Sequence, residues 1–162
     1  MKNSLILILS FLSIGLFAQD KTVSLTDFKI NGMNFVAKKN DIIKVFGNPK
    51  RIFEPKYECG FLSEDEQGKK FYSLVYSFFV FTGNPIENYQ LEKVNFSSKA
   101  NFKITYKGKS ISSRTTKKDI QSIFEIKVIR DKISFSEPKG ESKLIFKFKN
   151  GLLSNLEYWT PC

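Results

Sequence analysis

The chain has 162 residues and no histidine, and its 26 basic side chains outnumber 16 acidic ones. Without histidine, Ser-His-Asp and Cys-His catalysis are impossible, and the commonest general base and metal ligand are missing. No P-loop, dinucleotide-binding fingerprint or paired-cysteine zinc spacing occurs, so neither a cofactor nor a metal is expected.

Lys2 opens the chain with positive charge, Leu5 to Phe17 follow as an apolar run broken only by Ser10, Ser13 and Gly15, and charge resumes at Asp20. A spanning helix needs about 20 apolar residues. The run therefore reads as a secretory signal, residues 1–18, cut after Ala18, although Leu16 is larger than the residue usual three places from such a cut. A buried N-terminal helix is the alternative. No Cys lies near the cut, so no lipid anchor is expected. The mature chain is expected in the periplasm or outside the cell, with no transmembrane segment.

The first unit begins with Phe28 to Ile30 and Met33 to Val36 around Asn31-Gly32, a strong hairpin signal because both turn residues need φ > 0. Apolar residues three and four apart predict a helix over about Lys39 to Phe46, stopped by Gly47 and kept from resuming by Pro49. Alternation over Phe71 to Phe81 predicts a long strand with Tyr72, Leu74, Tyr76, Phe78 and Val80 on one face. Its other face carries Phe71, Val75 and Phe79, an aromatic patch that either meets a partner or lies under a loop or helix as ordinary core. The acidic loop Glu64 to Gly68 lacks the alternating ligands of a calcium site.

The second unit repeats the plan. Lys107-Gly108 makes the turn, Thr115 or Thr116 caps a helix, and Asp119 sits near its positive end. In Lys143 to Lys149, Leu144, Phe146 and Phe148 face in and Lys143, Ile145, Lys147 and Lys149 face out. Asn150-Gly151 then turns the chain into a last strand, Leu152 to Trp159.

Four blocks recur in one order. Asp27-Phe28-Lys29-Ile30 matches Asn101-Phe102-Lys103-Ile104, and Lys39 to Phe46 matches Lys117 to Phe124. Leu74 to Phe78 matches Leu144 to Phe148, and Leu91, Val94 and Phe96 match Leu153, Leu156 and Tyr158. The expected fold is α+β, with two tandem ββαβββ-like repeats over residues 19–98 and 99–162. Each is a β-hairpin, a short helix and an antiparallel meander, with the helices packed on one face of the sheet.

The block from Lys38 to Pro49, with its Phe46-Gly47-Asn48-Pro49, resembles the signature of the small outer-membrane assembly lipoproteins (the SmpA/OmlA group). It also resembles the tandem-repeat β-lactamase inhibitor proteins. That resemblance implies a non-enzymatic binding scaffold presenting a sheet face to a protein partner. The chain departs from the first family in lacking the lipid-modified cysteine. Its second unit has Phe124-Glu125-Ile126 where the Gly-x-Pro would fall.

Cys59 and Cys162 are the only cysteines. In an exported protein an even count favours a disulfide, with two free buried thiols as the alternative.

Charge is lopsided. Residues 19–98 carry 11 basic and 10 acidic side chains, and residues 99–162 carry 14 and 6. Lys143, Lys147 and Lys149 alternate along one strand, and Lys103 and Lys107 along another. In a single sheet they would make an open basic face that attracts acidic proteins, anionic polysaccharide or lipid headgroups. Nucleic acid is disfavoured for an exported chain. The alternative is that these lysines only keep strands solvated. A competing function is a small hydrolase of envelope polymers using two carboxylates drawn from Glu54, Glu58, Asp131 and Glu137.

Overall fold

The computed structural model describes residues 21–55, 70–127 and 130–161. They form a mixed α+β molecule dominated by antiparallel strands. The first strands are β1 (Phe28–Ile30), β2 (Met33–Asn34) and β3 (Val36–Ala37), followed by α1 (Lys39–Phe46). Next come β4 (Arg51–Phe53), β5 (Tyr72–Val75), β6 (Phe79–Gly83) and β7 (Tyr89–Asn95). Then β8 (Ile104–Tyr106) and β9 (Lys109–Ile111) precede α2 (Lys117–Phe124), and β10 (Lys132–Ser136), β11 (Lys143–Lys149) and β12 (Leu152–Trp159) end the chain.

The local signals act as expected at the turns and helices. Asn31 and Gly32 have φ of 49° and 82°, and Lys107 and Gly108 have 46° and 82°, the double positive φ of a type I′ hairpin. Helix α1 stops at Gly47, whose N–H donates to the Ile43 carbonyl at 2.8 Å. Thr116 caps α2 through a reciprocal box with Asp119.

Two sheets result. The smaller has the order β2-β1-β8-β9. The larger runs β10-β11-β12-β7-β6-β5-β4, with β3 also paired to β7. Both are assembled across the two halves of the chain. In the small sheet β1 meets β8 through Phe28↔Tyr106, Lys29↔Thr105 and Ile30↔Ile104. In the large sheet β7 meets β12 through Lys93↔Glu157, Val94↔Leu156 and Asn95↔Asn155.

An aromatic core joins the elements. The Phe28 ring of β1 lies 6.4 Å from Phe146 of β11 and 6.3 Å from Phe124 of α2, centroid to centroid. Phe124 in turn lies 4.6 Å from Phe135 and 4.5 Å from Tyr106. Phe46 of α1 lies 4.7 Å from Phe79. Such ring pairs add about 0.5–1.5 kcal/mol each beyond their area burial.

Residues Lys21–Leu25 are tied to the far half of the chain. Thr22 bridges Ser136 in parallel, the Leu25 N–H donates to Glu137 Oε1 at 2.9 Å, and Val23 and Leu25 are buried. The Lys21 ammonium donates to the Phe124 carbonyl and pairs with Glu125 at 3.6 Å, placing a cation at the negative end of α2.

Three expectations are corrected. The long strand over Phe71 to Phe81 is a hairpin, because the chain reverses at Ser77-Phe78, where the Tyr76 N–H donates to the Phe79 carbonyl at 2.9 Å. The Met33 to Val36 strand breaks at Phe35. Its side chain is fully buried, and the chain there leaves the small sheet so that β3 can join β7. Leu74 to Phe78 does not correspond to Leu144 to Phe148, since the first rounds a turn and the second lies within β11.

No helix among the described residues is long and apolar enough to cross a membrane. Residues 1–18, Cys59, Cys162, Glu58 and the acidic loop lie outside the described residues, and with them the expected signal, disulfide and one candidate acid.

Candidate functional site

Pairing register determines which side chains share the outer face of the large sheet. On β11 these are Lys143, Ile145, Lys147 and Lys149. Their partners on β12 are Trp159, Glu157, Asn155 and Leu152. On β10, Lys132, Ser134 and Ser136 stand opposite Lys147, Ile145 and Lys143. On β7, Lys93 and Asn95 continue the rows.

Two β-bulges shape this face. On β12 the register slips at Ser154, between the pairs Lys147↔Asn155 and Phe148↔Leu153. Its hydroxyl donates to the Lys147 carbonyl at 3.0 Å. Leu152 and Trp159 are an odd number of residues apart, so in a regular strand they would face opposite ways. The extra residue turns both outward. On β7 the same slip falls at Glu92, between Val80↔Lys93 and Phe81↔Leu91, and puts Glu92 and Lys93 side by side on the outer face.

The centre of the face is an ion cluster. Glu157 receives Lys147 at 2.5 Å and Lys93 at 3.6 Å. Burial pushes the Glu157 carboxyl up, but the hydrogen bond and charge of Lys147, with Lys93, outweigh it and hold the group below its usual range. Around this cluster Lys132, Lys143 and Lys149 are exposed. Five lysines thus stand against two glutamates. Trp159 is 45% exposed, with the Lys143 ammonium 5.8 Å from its ring centroid. It sits where β12 parts from β7 and β3 takes over the pairing.

Over β5 and β6 the outer face is different. Ser73 and Thr82 point the same way but are 1% and 2% exposed. Their hydroxyls meet at 2.9 Å, and Thr82 donates to Glu92 at 2.5 Å. The more open part of the face is therefore the region made by β10, β11, β12 and the adjoining end of β7, with Ile145, 8% exposed, beneath its lysines.

The expected basic face is divided by the topology. Lys143, Lys147 and Lys149 are together as expected, and Lys147 is ion-paired. Lys103 and Lys107 belong to the other sheet. Lys107 occupies its hairpin turn, where Asp27 at 3.3 Å, by hydrogen bond and charge, holds its ammonium above the usual range. Lys103 is exposed beside the Asn31 turn, its N–H donating to Asn31 Oδ1 at 2.8 Å. The expected aromatic patch is also divided. Phe79 is buried against Phe46 and Tyr76, Val75 is half-buried opposite Val80 on the outer face, and Phe71 is half-buried just before β5.

Two of the candidate acids are engaged elsewhere. Asp131 pairs with Lys117 at 2.6 Å, and Glu137 accepts from the Leu25 N–H and, at 3.4 Å, from the Tyr158 hydroxyl. They flank opposite ends of β10, and Glu54 lies beyond β4. Open grooves also lie among the described residues. One of about 690 Å³ lies between β2, β3 and the start of α1, and one of about 380 Å³ between β9 and the start of α2.

Residue reasoning missed Lys93, Lys132, Leu152 and Trp159 as parts of the face. Trp159, the chain's single tryptophan near its C-terminus, was the available signal. Comparison with protein-family models, curated proteins and solved structures found no match.

Proposed function

We propose that this chain is an exported, non-enzymatic interaction module, built from two hairpin–helix–meander units, that binds an anionic partner on the outer face of its large sheet over β10, β11 and β12. One observation carries the binding reading: five lysines against two glutamates surround an exposed Trp159 on an open sheet surface. Summed positive charge of this kind draws anionic partners from a distance, and an exposed aromatic gives them an apolar anchor. Of the carboxylates a hydrolase would use, Asp131 and Glu137 stand at opposite ends of β10 and are engaged with Lys117 and Leu25, which favours the binding reading.

Pairing symmetry supports the duplication. The β1–β8 and β7–β12 registers each read the same when the halves are exchanged. The Asn31 N–H donates to the Lys103 carbonyl at 2.8 Å, and the Lys107 N–H donates to the Asp27 carbonyl at 3.1 Å, as counterparts would. The bulges at Glu92 and Ser154 fall at matching places. On this basis Asn31-Gly32 corresponds to Lys107-Gly108, which sets Asp27 on Lys103 in place of Asn101 and moves the first expected block match by two residues. Likewise β6 corresponds to β11, with Phe79-Val80-Phe81 matching Phe146-Lys147-Phe148. Both helices carry Phe residues into contact with inward side chains of the large sheet, consistent with helices on one face. The same plan is what a likeness to the tandem-repeat inhibitor proteins entails.

The test is capture from a solubilised envelope fraction by the protein lacking residues 1–18. The triple change of Lys143, Lys147 and Lys149 to Glu is expected to abolish capture that wild type shows. Equal capture by both proteins removes this face from consideration.

A further inference from the structure

We infer that the partner of this face is an anionic lipid bilayer, with Lys132, Lys143 and Lys149 against the headgroups and Trp159 and Leu152 entering the interfacial layer. This rests on reading the face as an anion-binding surface. Three features select a bilayer over an acidic protein.

The first is composition. Protein–protein interfaces are depleted in lysine and enriched in arginine, whereas here every cation around the ion cluster is a lysine. A long flexible ammonium suits a fluid array of phosphates, which requires no fixed counterpart. The second is the placing of the apolar groups. Trp159 and Leu152 are 45% and 43% exposed at the two ends of β12, roughly 20 Å apart at strand spacing. The Ser154 bulge turns both outward. Tryptophan is the side chain most at home at the level of lipid headgroups. Two apolar contacts at the ends of a cationic strip lay the strip flat on a plane. The third is the sharing of charge. Glu157 holds Lys147 and Lys93, while Lys132, Lys143 and Lys149 form no ion pair among the described residues. Each lysine near an anionic leaflet strengthens partitioning by about fivefold. Three unpaired lysines therefore supply on the order of a hundredfold, screened within a Debye length of about 10 Å at 0.1 M salt.

The probe is built in, because Trp159 is the only tryptophan. The protein spanning residues 19–162, which holds every described contact, is titrated with vesicles of phosphatidylglycerol mixed with phosphatidylcholine, with vesicles of phosphatidylcholine alone, and with soluble polyglutamate. The expected result is a blue shift of the emission and co-sedimentation with the anionic vesicles only, both reversed by high salt. Changing Lys132, Lys143 and Lys149 to Gln weakens vesicle binding about a hundredfold. Changing Lys29, Lys103 and Lys109 of the small sheet to Gln leaves it within about twofold. Glutamine keeps most of each stem's packing, and circular dichroism melts confirm that each variant is folded. Binding to polyglutamate but not to anionic vesicles overturns the bilayer and leaves the anion-binding face standing. Binding to neither overturns both. Equal weakening by the two sets of variants, or sedimentation without a shift of the Trp159 emission, overturns the placement on this face.

Discussion

Lys38 and Thr116 stand at the same point of the two helices, one residue before α1 and one before α2, yet only one of them caps. The Thr116 Oγ1 accepts from the Asp119 N–H at 3.2 Å, and the Thr116 N–H donates to Asp119 Oδ2 at 2.7 Å. Lys38 has suitable extended backbone but makes no side-chain cap, although Asp41 already occupies the place that Asp119 holds in α2. Lys38→Thr should therefore complete a second box and raise unfolding stability by about 1 kcal/mol, and Thr116→Ala should lower it by about the same, both read from urea melts. The backbone N–H of Thr116 and then its hydroxyl hold the Asp119 carboxyl below its usual range. A lowered carboxylate contributes stability that is whole above its unfolded value of about 3.9 and is lost as pH falls through the folded value. Asp119→Asn should thus lower stability at neutral pH and leave a shallower decline as pH falls below about 4. Tyr89 is the opposite case. Its hydroxyl is buried without a hydrogen-bond partner among the described residues. Tyr89→Phe should cost nothing and is expected to stabilise by up to about 1 kcal/mol, because it removes a desolvated group that is not repaid.

Between elements, Phe124 is the joint. Its ring touches Phe28 and Tyr106 from the small sheet and Phe135 and Phe146 from the large one. Phe124→Ala should cost about 3–5 kcal/mol in a chemical-denaturation curve, whereas Ile86→Ala, at a loop position 88% exposed, should cost almost nothing. The helix holding Phe124, its partner α1 and the three tight turns were legible because each has a local cause: a 3.6 period, a cap, or a pair of residues that accept positive φ. The inward row of β11 was legible for the same reason. Strand parity was not. The bulges at Glu92 and Ser154 each add one residue and reverse every inside/outside assignment beyond them, with no local composition to mark the place. The Ser77-Phe78 reversal was hidden likewise, because Tyr76, Phe78 and Phe79 continue the look of a strand through the turn. Which strands enter which sheet depends on pairing between the halves, and this is why Lys103 and Lys107 were grouped with a face they do not join.

For the whole molecule the consequence is that neither half is self-contained. Separating the halves at residue 98 cuts β1 from β8 and β7 from β12, exposing inner strands of both sheets, so the two fragments should be insoluble apart and recover native circular dichroism only when refolded together. A disulfide between Cys59 and Cys162 would tie the halves covalently, and intact mass without reductant should then fall by two hydrogens relative to the reduced chain; two alkylatable thiols would refute it.

The anchoring of Lys21–Leu25 sets a timetable. In synthesis these residues emerge ahead of their partners, Phe124, Ser136 and Glu137, which follow more than a hundred residues behind. Until those arrive, the Lys21, Thr22 and Leu25 backbone and side-chain contacts to the second half cannot form. Once α2 and β10 have formed, the Lys21 ammonium closes over the helix end.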